Sequence, residues 1–251
     1  MITLVDYGLG NIQAFAHIYQ RLNIPVAVAH TTDQLAAAER IILPGVGSFD
    51  WAMTRLEESG LRACLDDLVM SRKRPVLGVC VGMQMMARRS DEGKLPGLGW
   101  IEGEVKKLSL LPCKSTTAIE NKLIHHEEHE EHEVESKNQS PLRVLRELRG
   151  GNSGLRAQPA LEEQRITDGK VVLPHMGWND VAPRDGACLF AGLESGARFY
   201  FLHSYYFAPV HPDVILATTD YHGPFASAVR SGNVFGTQFH PEKSHQWGIQ
   251  L

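Results

Sequence analysis

A cysteine becomes a nucleophile when the backbone presents its sulfur and the surroundings favour the thiolate. Cys80 has provision for both in its neighbours. It stands in Gly78-Val79-Cys80-Val81-Gly82-Met83-Gln84, directly after the apolar run Pro75–Val79. Glycines on both sides permit a tight strand-to-helix turn, the device that holds the serine of a GxSxG nucleophile elbow. Such a turn lifts the sulfur to the carboxyl edge of a sheet and aims backbone N–H groups at the adjoining space. A following helix N-terminus favours an anion and so the thiolate. The competing reading is a buried structural cysteine. Of the other cysteines, Cys64 has the helical setting of packing, Cys113 lies in a polar stretch, and Cys188 begins a loop or short strand. None of the three has an elbow.

A thiol needs a base, and twelve histidines compete for that role. His125, His126, His129 and His132 belong to one polar stretch, while His17 and His30 lie far from any glycine-rich turn. His240, in Gly236-Thr237-Gln238-Phe239-His240-Pro241-Glu242, terminates a strand-like run. Pro241 biases His240 to extended backbone, where side chains two residues apart share a side. Glu242 can then accept from Nδ1 of His240 and leave Nε2 for the thiol. Alone, the tripeptide reads better as a surface turn; paired with an elbow cysteine at another strand end, it completes a triad. Attack on a carboxamide creates an oxyanion that requires two N–H donors. One is the amide of Val81. The loop Pro44-Gly45-Val46-Gly47-Ser48-Phe49 offers the second near Val46 or Gly47, where glycine lets backbone approach a substrate closely. That loop also fits an ordinary turn between a strand and a helix.

These groups need a frame. Ile2–Asp6, Pro25–Ala29, Arg40–Leu43 and Pro75–Val79 read as short strands, apolar throughout. Between them lie helical patterns: Ile12, Phe15, Ile18, Tyr19 and Leu22 at helical spacing behind a capping Asn11, then a stretch to about Ser71 split near Gly60, then Gly82–Arg88. Apolar strands separated by helices imply a parallel sheet covered on both faces, with ligands at the strands' carboxyl ends. Farther on, Trp100–Leu108, Val171–Leu173, Ala197–Ser204, Val214–Thr219, Phe225–Arg230 and Val234–Gln238 are strand-like with few helices between, which implies antiparallel additions. The expected fold class is α/β: a mixed, largely parallel central sheet flanked by helices.

At 251 residues, 43% hydrophobic and 22% charged, the composition is that of an ordinary globular chain. A net charge of −4 advertises no basic face for nucleic acid or anionic lipid. No apolar run approaches a membrane span, no leader pattern opens the chain, and the spaced cysteines suit a reducing cytoplasm. One segment, about 109–168, is discordant. It holds His125-His126-Glu127-Glu128-His129-Glu130-Glu131-His132-Glu133, whose imidazoles and carboxylates could ligate a transition metal. Its low apolar content favours a solvated surface insertion, partly disordered, and no metal site is assigned to it. The remainder reads as a single domain spanning 1–251.

The chain resembles the class I (triad) glutamine amidotransferases, and among them the glutaminase subunits of imidazole glycerol phosphate synthases in histidine biosynthesis. DYGLGN (Asp6–Asn11), LPGVGSF (Leu43–Phe49), GVCVGMQ (Gly78–Gln84), PGLGWIEGEV (Pro96–Val105), PHMGWND (Pro174–Asp180), FLHSYY (Phe201–Tyr206) and GTQFHPEKS (Gly236–Ser244) carry the resemblance. It implies a flavodoxin-like fold and a triad of Cys80, His240 and Glu242. It implies an oxyanion hole shaped by Val46, Gly47 and Val81, with Gln84 helping to hold glutamine. No cofactor is implied. A (β/α)8-barrel cyclase subunit is, receiving ammonia in a heterodimer, with Asn11, Trp178 and Lys243 falling where this family meets it. Taken alone, those three are a helix cap, a core aromatic and a solvated charge. Two departures from the family pattern are the insertion and a short stretch after HPEKS, with room for about two helical turns. The alternatives are a paralogous subunit serving another synthase and a catalytically impaired scaffold subunit.

Overall fold

Four apolar runs of the first half form β1 (Ile2–Val5), β2 (Val26–Ala29), β3 (Arg40–Gly45) and β4 (Val76–Cys80), all joined in parallel ladders. The computed structural model describes residues 1–109, 171–193 and 196–251. The insertion expected over about 109–168, with its histidine-rich run and Cys113, therefore lies outside the described residues except for Ser109.

Between these strands the chain returns through helices. The helix α1 (Ile12–Arg21) buries Ile12, Phe15 and Ala16 along one stripe. Asn11 occupies its cap position, but its side chain accepts no capping hydrogen bond. The short α2 (Thr32–Ala36), which apolar spacing does not reveal, starts with a reciprocal capping box between Thr31 and Gln34. α3 (Phe49–Glu58) ends before Gly60, whose φ of +71° breaks the stretch as expected. α4 (Arg62–Asp66) then runs into a π turn, Asp67–Ser71.

The central sheet has eight strands. β13 (Val234–Thr237) adds in parallel to β4. Beyond it, β12 (Pro224–Ser231), β11 (Ile215–Asp220) and β8 (Ala182–Pro183) pair antiparallel, so the order is β2-β1-β3-β4-β13-β12-β11-β8. This is the expected mixed α/β sheet with antiparallel additions. Two smaller sheets accompany it. β10 (Tyr205–Pro209) pairs with β6 (Gly103–Lys107), which also carries β5 (Arg89–Ser90). β7 (His175–Asp180) pairs antiparallel with β9 (Arg198–His203).

Two expectations need correction. Val171–Leu173 is not a strand; β7 begins at His175. The helix expected over Gly82–Arg88 is the single turn α5 (Val81–Gln84), because the next segment turns away to become β5.

All described residues belong to one compact unit with two packed cores. The larger contains Leu4, Ile42, Leu43, Phe49, Leu56 and Met83. The smaller is aromatic: Phe199 and Phe239 stack with ring centres 4.1 Å apart, flanked by Phe190 and Phe201. Burying each such ring contributes roughly 1.5–3 kcal/mol, and here it fixes the segment that leaves β13. Among the described residues, no helix is long and apolar enough to cross a membrane.

Candidate active site

Cys80 ends β4 with φ +55° and ψ −111°, a conformation that costs an L-residue on the order of 1–3 kcal/mol. The strain falls on the cysteine itself; neither Gly78 nor Gly82 has positive φ. What requires those glycines is space. A methyl group on Gly82 would strike the carbonyl oxygen of Leu43, and one on Gly45 would strike the backbone nitrogen of Gly82. One on Gly78 would lie 2.5 Å from Met86 Cε and 2.6 Å from the Gly82 carbonyl oxygen. β3, β4 and the elbow thus close on one another without side chains between them.

Strand register brings the remaining parts to the sulfur. Gly45 pairs with Cys80 across the β3–β4 ladder, so the next residues, Val46 and Gly47 (φ +86°), flank the thiol. On the other side Thr237 pairs with Val79, and the chain leaving β13 reaches His240 three residues later. His240 is extended (φ −102°, ψ 96°), and Pro241–Lys243 form a 3₁₀ turn. That turn, rather than a continued extended strand, carries Glu242 back beneath the imidazole. Nδ1 of His240 lies 2.9 Å from Oε1 of Glu242, and both side chains are buried.

Ser244, fully buried, fastens the turn. Its hydroxyl donates to the His240 carbonyl at 2.6 Å and accepts the Tyr200 N–H at 3.0 Å, while the His240 N–H donates to the Tyr200 carbonyl at 2.9 Å.

Electrostatics follow from this packing. Burial opposes charge on His240, but its interactions with Cys80 and Glu242 outweigh that penalty and raise its pKa from 6.5 to about 9. Tyr7, whose hydroxyl donates to the Pro44 carbonyl at 2.8 Å, is pushed well above the ordinary phenol range by burial and by the charge of Cys80. The sulfur makes two long contacts, donating to the Leu202 carbonyl at 3.9 Å and receiving the Gln238 amide at 3.8 Å.

The elbow opens on a cavity of about 260 Å³. It brings together Cys80, His240, Val46, Gly47, Val81 and Gln84 in its lining. Gln84 is almost wholly buried, and its amide nitrogen donates to the Tyr205 carbonyl (2.9 Å) and to Gln238 Oε1 (3.1 Å). Of the residues assigned to a partner surface, Lys243 also borders the cavity, and its ammonium sits 5.7 Å over the Tyr200 ring. Tyr200 is the cross-strand partner of Trp178. Trp178 is exposed rather than a core aromatic, and it stacks on His245 at 5.3 Å. Asn11 is exposed at the start of α1.

Sequence reasoning passes over Glu92, His203, Ser204 and Tyr205, which also line the cavity. Glu92 sits in a polar turn that reads as surface. Its carboxylate nevertheless accepts the Phe49 N–H at 2.8 Å, and Asp50 pins the turn by accepting the N–H groups of Lys94 and Leu95. The FLHSYY motif holds the other three and is the signal that could have found them. Among the described residues, no group of three or more histidine, cysteine or acidic side chains is arranged to hold a metal ion.

The family described as glutamine amidotransferase class-I matches residues 3–248. A protein of Bdellovibrio bacteriovorus named imidazole glycerol phosphate synthase subunit HisH is 47% identical, over all of this chain and 97% of its own length. The protein of that name from Leptospira interrogans is 40% identical over the same shares. A crystallised glutamine amidotransferase superposes with a TM-score of 0.61 at 15% identity, covering 99% of this chain and 94% of that one. PurLQS from Thermotoga maritima gives 0.57 at 16% identity, covering 99% and 93%. Both are likenesses of fold.

Proposed function

The chain belongs to the class I glutamine amidotransferase family, and from that premise we propose that it is the glutaminase subunit of an imidazole glycerol phosphate synthase. The observation that carries the reading is the meeting of an elbow cysteine with a carboxylate-paired histidine at one cavity. The full-length similarity to HisH subunits selects the synthase.

The Cys80 thiolate attacks the side-chain carbonyl carbon of glutamine, and the carbonyl electrons move onto oxygen. The amide of Val81 and a backbone amide at Val46 or Gly47 hold that oxyanion. The imidazolium of His240 gives its Nε2 proton to the nitrogen as the C–N bond breaks, which releases ammonia and leaves a thioester. Neutral His240 then takes a proton from water, hydroxide adds to the thioester carbon, and the C–S bond breaks to give glutamate. Glu242 keeps the imidazole in one tautomer and stabilises its charged form. Glu92 supplies a carboxylate for the substrate's ammonium, and Gln84 shapes the wall beside it.

Ammonia passes to a cyclase subunit with a (β/α)8-barrel fold, docked over the face that carries Asn11, Trp178 and Lys243, in the cytoplasm. The test is ammonia release from glutamine by the full chain, with and without the histidine-pathway cyclase and its nucleotide. Low basal release that rises strongly with the loaded cyclase is expected, and Cys80→Ala should abolish it. Substantial turnover by that variant would remove the nucleophile assignment, and activation by a different synthase would remove the partner.

A further inference from the structure

Beyond the triad, two more buried histidines, His203 and His175, border or back the cavity. Their hydrogen bonds leave no choice in where the protons sit. Nδ1 of His203 lies 2.8 Å from the Tyr205 carbonyl oxygen, which can only accept. That nitrogen therefore carries the proton, and Nε2 of the neutral ring is bare. Nε2 faces Nδ1 of His175 at 3.0 Å, so His175 donates and is also the Nδ1–H tautomer. Its own bare Nε2 faces the amide nitrogen of Asn179 at 3.3 Å. Two further bonds set the orientation of that amide: its nitrogen donates to the Asp220 carbonyl at 2.9 Å, and its oxygen accepts the Asp180 N–H at 2.8 Å.

Every proton along Asn179→His175→His203→Tyr205 runs in one direction. An added proton on either ring would point a donor at a donor. Burial accordingly lowers the pKa of His175 to about 4 and that of His203 to about 3. The chain ends on the oxygen that also receives the Gln84 amide, and Gln84 continues through Gln238 to the Cys80 sulfur.

We propose that His203 and His175 are positioning residues: as two neutral Nδ1–H tautomers they hold the Tyr205 carbonyl, and through it Gln84, in place as the wall of the substrate pocket. The substrate part of this statement rests on reading the cavity as a glutamine site.

Two measurements on the full chain test it. Long-range proton–nitrogen NMR with labelled histidine should show both rings neutral and protonated on Nδ1, with His203→Asn and His175→Asn used to assign the signals. An Nε2–H tautomer or an imidazolium at either ring near neutral pH overturns the wire. The second measurement is saturable labelling of Cys80 by a chloroketone analogue of glutamine, which separates half-saturation from maximal rate. His203→Leu, which leaves the carbonyl without its imidazole donor, should raise half-saturation about tenfold, or about 1.4 kcal/mol. His203→Asn, whose amide nitrogen can stand where Nδ1 stood, should stay within about twofold of wild type. His175→Phe keeps an aromatic ring between Tyr221 and Phe201 but loses the donor, and should fall between the two. Maximal labelling rates should change far less. Equal effects of leucine and asparagine at 203, or no effect of either, overturn the positioning role. A wild type that is not labelled saturably at Cys80 would instead remove the glutamine reading, and the NMR result would still decide the wire.

Discussion

Replacing Glu242 with glutamine removes the charge that faces Nδ1 of His240 and keeps a similar shape. The buried pair lies 2.9 Å apart, and the imidazole titrates at about 9 instead of 6.5. At about 1.4 kcal/mol per pH unit, that interval sets roughly 3 kcal/mol as the net stabilisation of the charged form, the amount by which Cys80 and Glu242 together outweigh the cost of burial. Because the folded value lies above the ordinary one, this stabilisation is fully present below pH 6.5 and is lost as pH rises through about 9. Without the carboxylate, burial acts downward and only Cys80 opposes it. The release step needs a protonated His240, so the alkaline limb of ammonia production should move down from near pH 9, by the share of the shift that Glu242 rather than Cys80 supplies. A limb returned all the way to 6.5 would amount at pH 8 to about a thirtyfold loss from protonation alone, and a partial return to proportionately less. Steady-state ammonia release from pH 6 to 10, with the cyclase present, measures it. Urea unfolding at pH 6 and pH 10 provides a second reading, in which the wild type should lose its advantage over the variant at the higher pH. An unchanged alkaline limb in Glu242→Gln would show that the carboxylate does not set the titration of His240.

Gly82→Ala should fail at the elbow for want of space. Its methyl group would occupy the position of the Leu43 carbonyl oxygen, so a loss of about 2 kcal/mol or more is expected, together with loss of Cys80 labelling; a variant with wild-type melting and labelling would contradict the packing described. Ser244→Ala leaves the Tyr200 N–H and the His240 carbonyl without their shared partner. A cost of about 1–3 kcal/mol in denaturant unfolding is expected, with maximal glutaminase rate reduced more than glutamine affinity.

Much of this architecture is legible in the chain because its signals are local. Apolar runs such as Ile2–Val5 and Val76–Cys80 announce buried parallel strands, and Gly60 marks the break between α3 and α4. Cys80, His240 and the loop at Val46 can be paired on paper because each ends a strand. Elements with weak patterning are harder to see. β7 is a ribbon of His, Met, Gly, Trp, Asn and Asp whose strand character comes from its pairing with β9. The shortness of α5 is imposed by the segment behind it, since Gly97, Leu98, Gly99 and Ile101 donate backbone hydrogen bonds into the Met85–Arg88 turn. The roles of Glu92 and His203 are hard to read for a related reason: a carboxylate in a turn and a histidine in a strand acquire their setting only when distant segments close around them. The glycines of the elbow stand out in the sequence, but for a different cause. Turn geometry suggests them, whereas the need is for clearance between backbones.

The adjacency of β4 and β13 has a further bearing on how such a chain can change. Gln238 and Cys80 are separated by 158 positions, yet their meeting depends on four rungs of one ladder, Val234–Val76 through Thr237–Val79. Connecting chain between two points already fixed adds an entropic toll that grows only with the logarithm of its length, about 0.6 kcal/mol for each doubling. Chain placed between β6 and β7 lies outside those four rungs, so its length bears on closure entropy and not on the register that brings Gln238 to the sulfur.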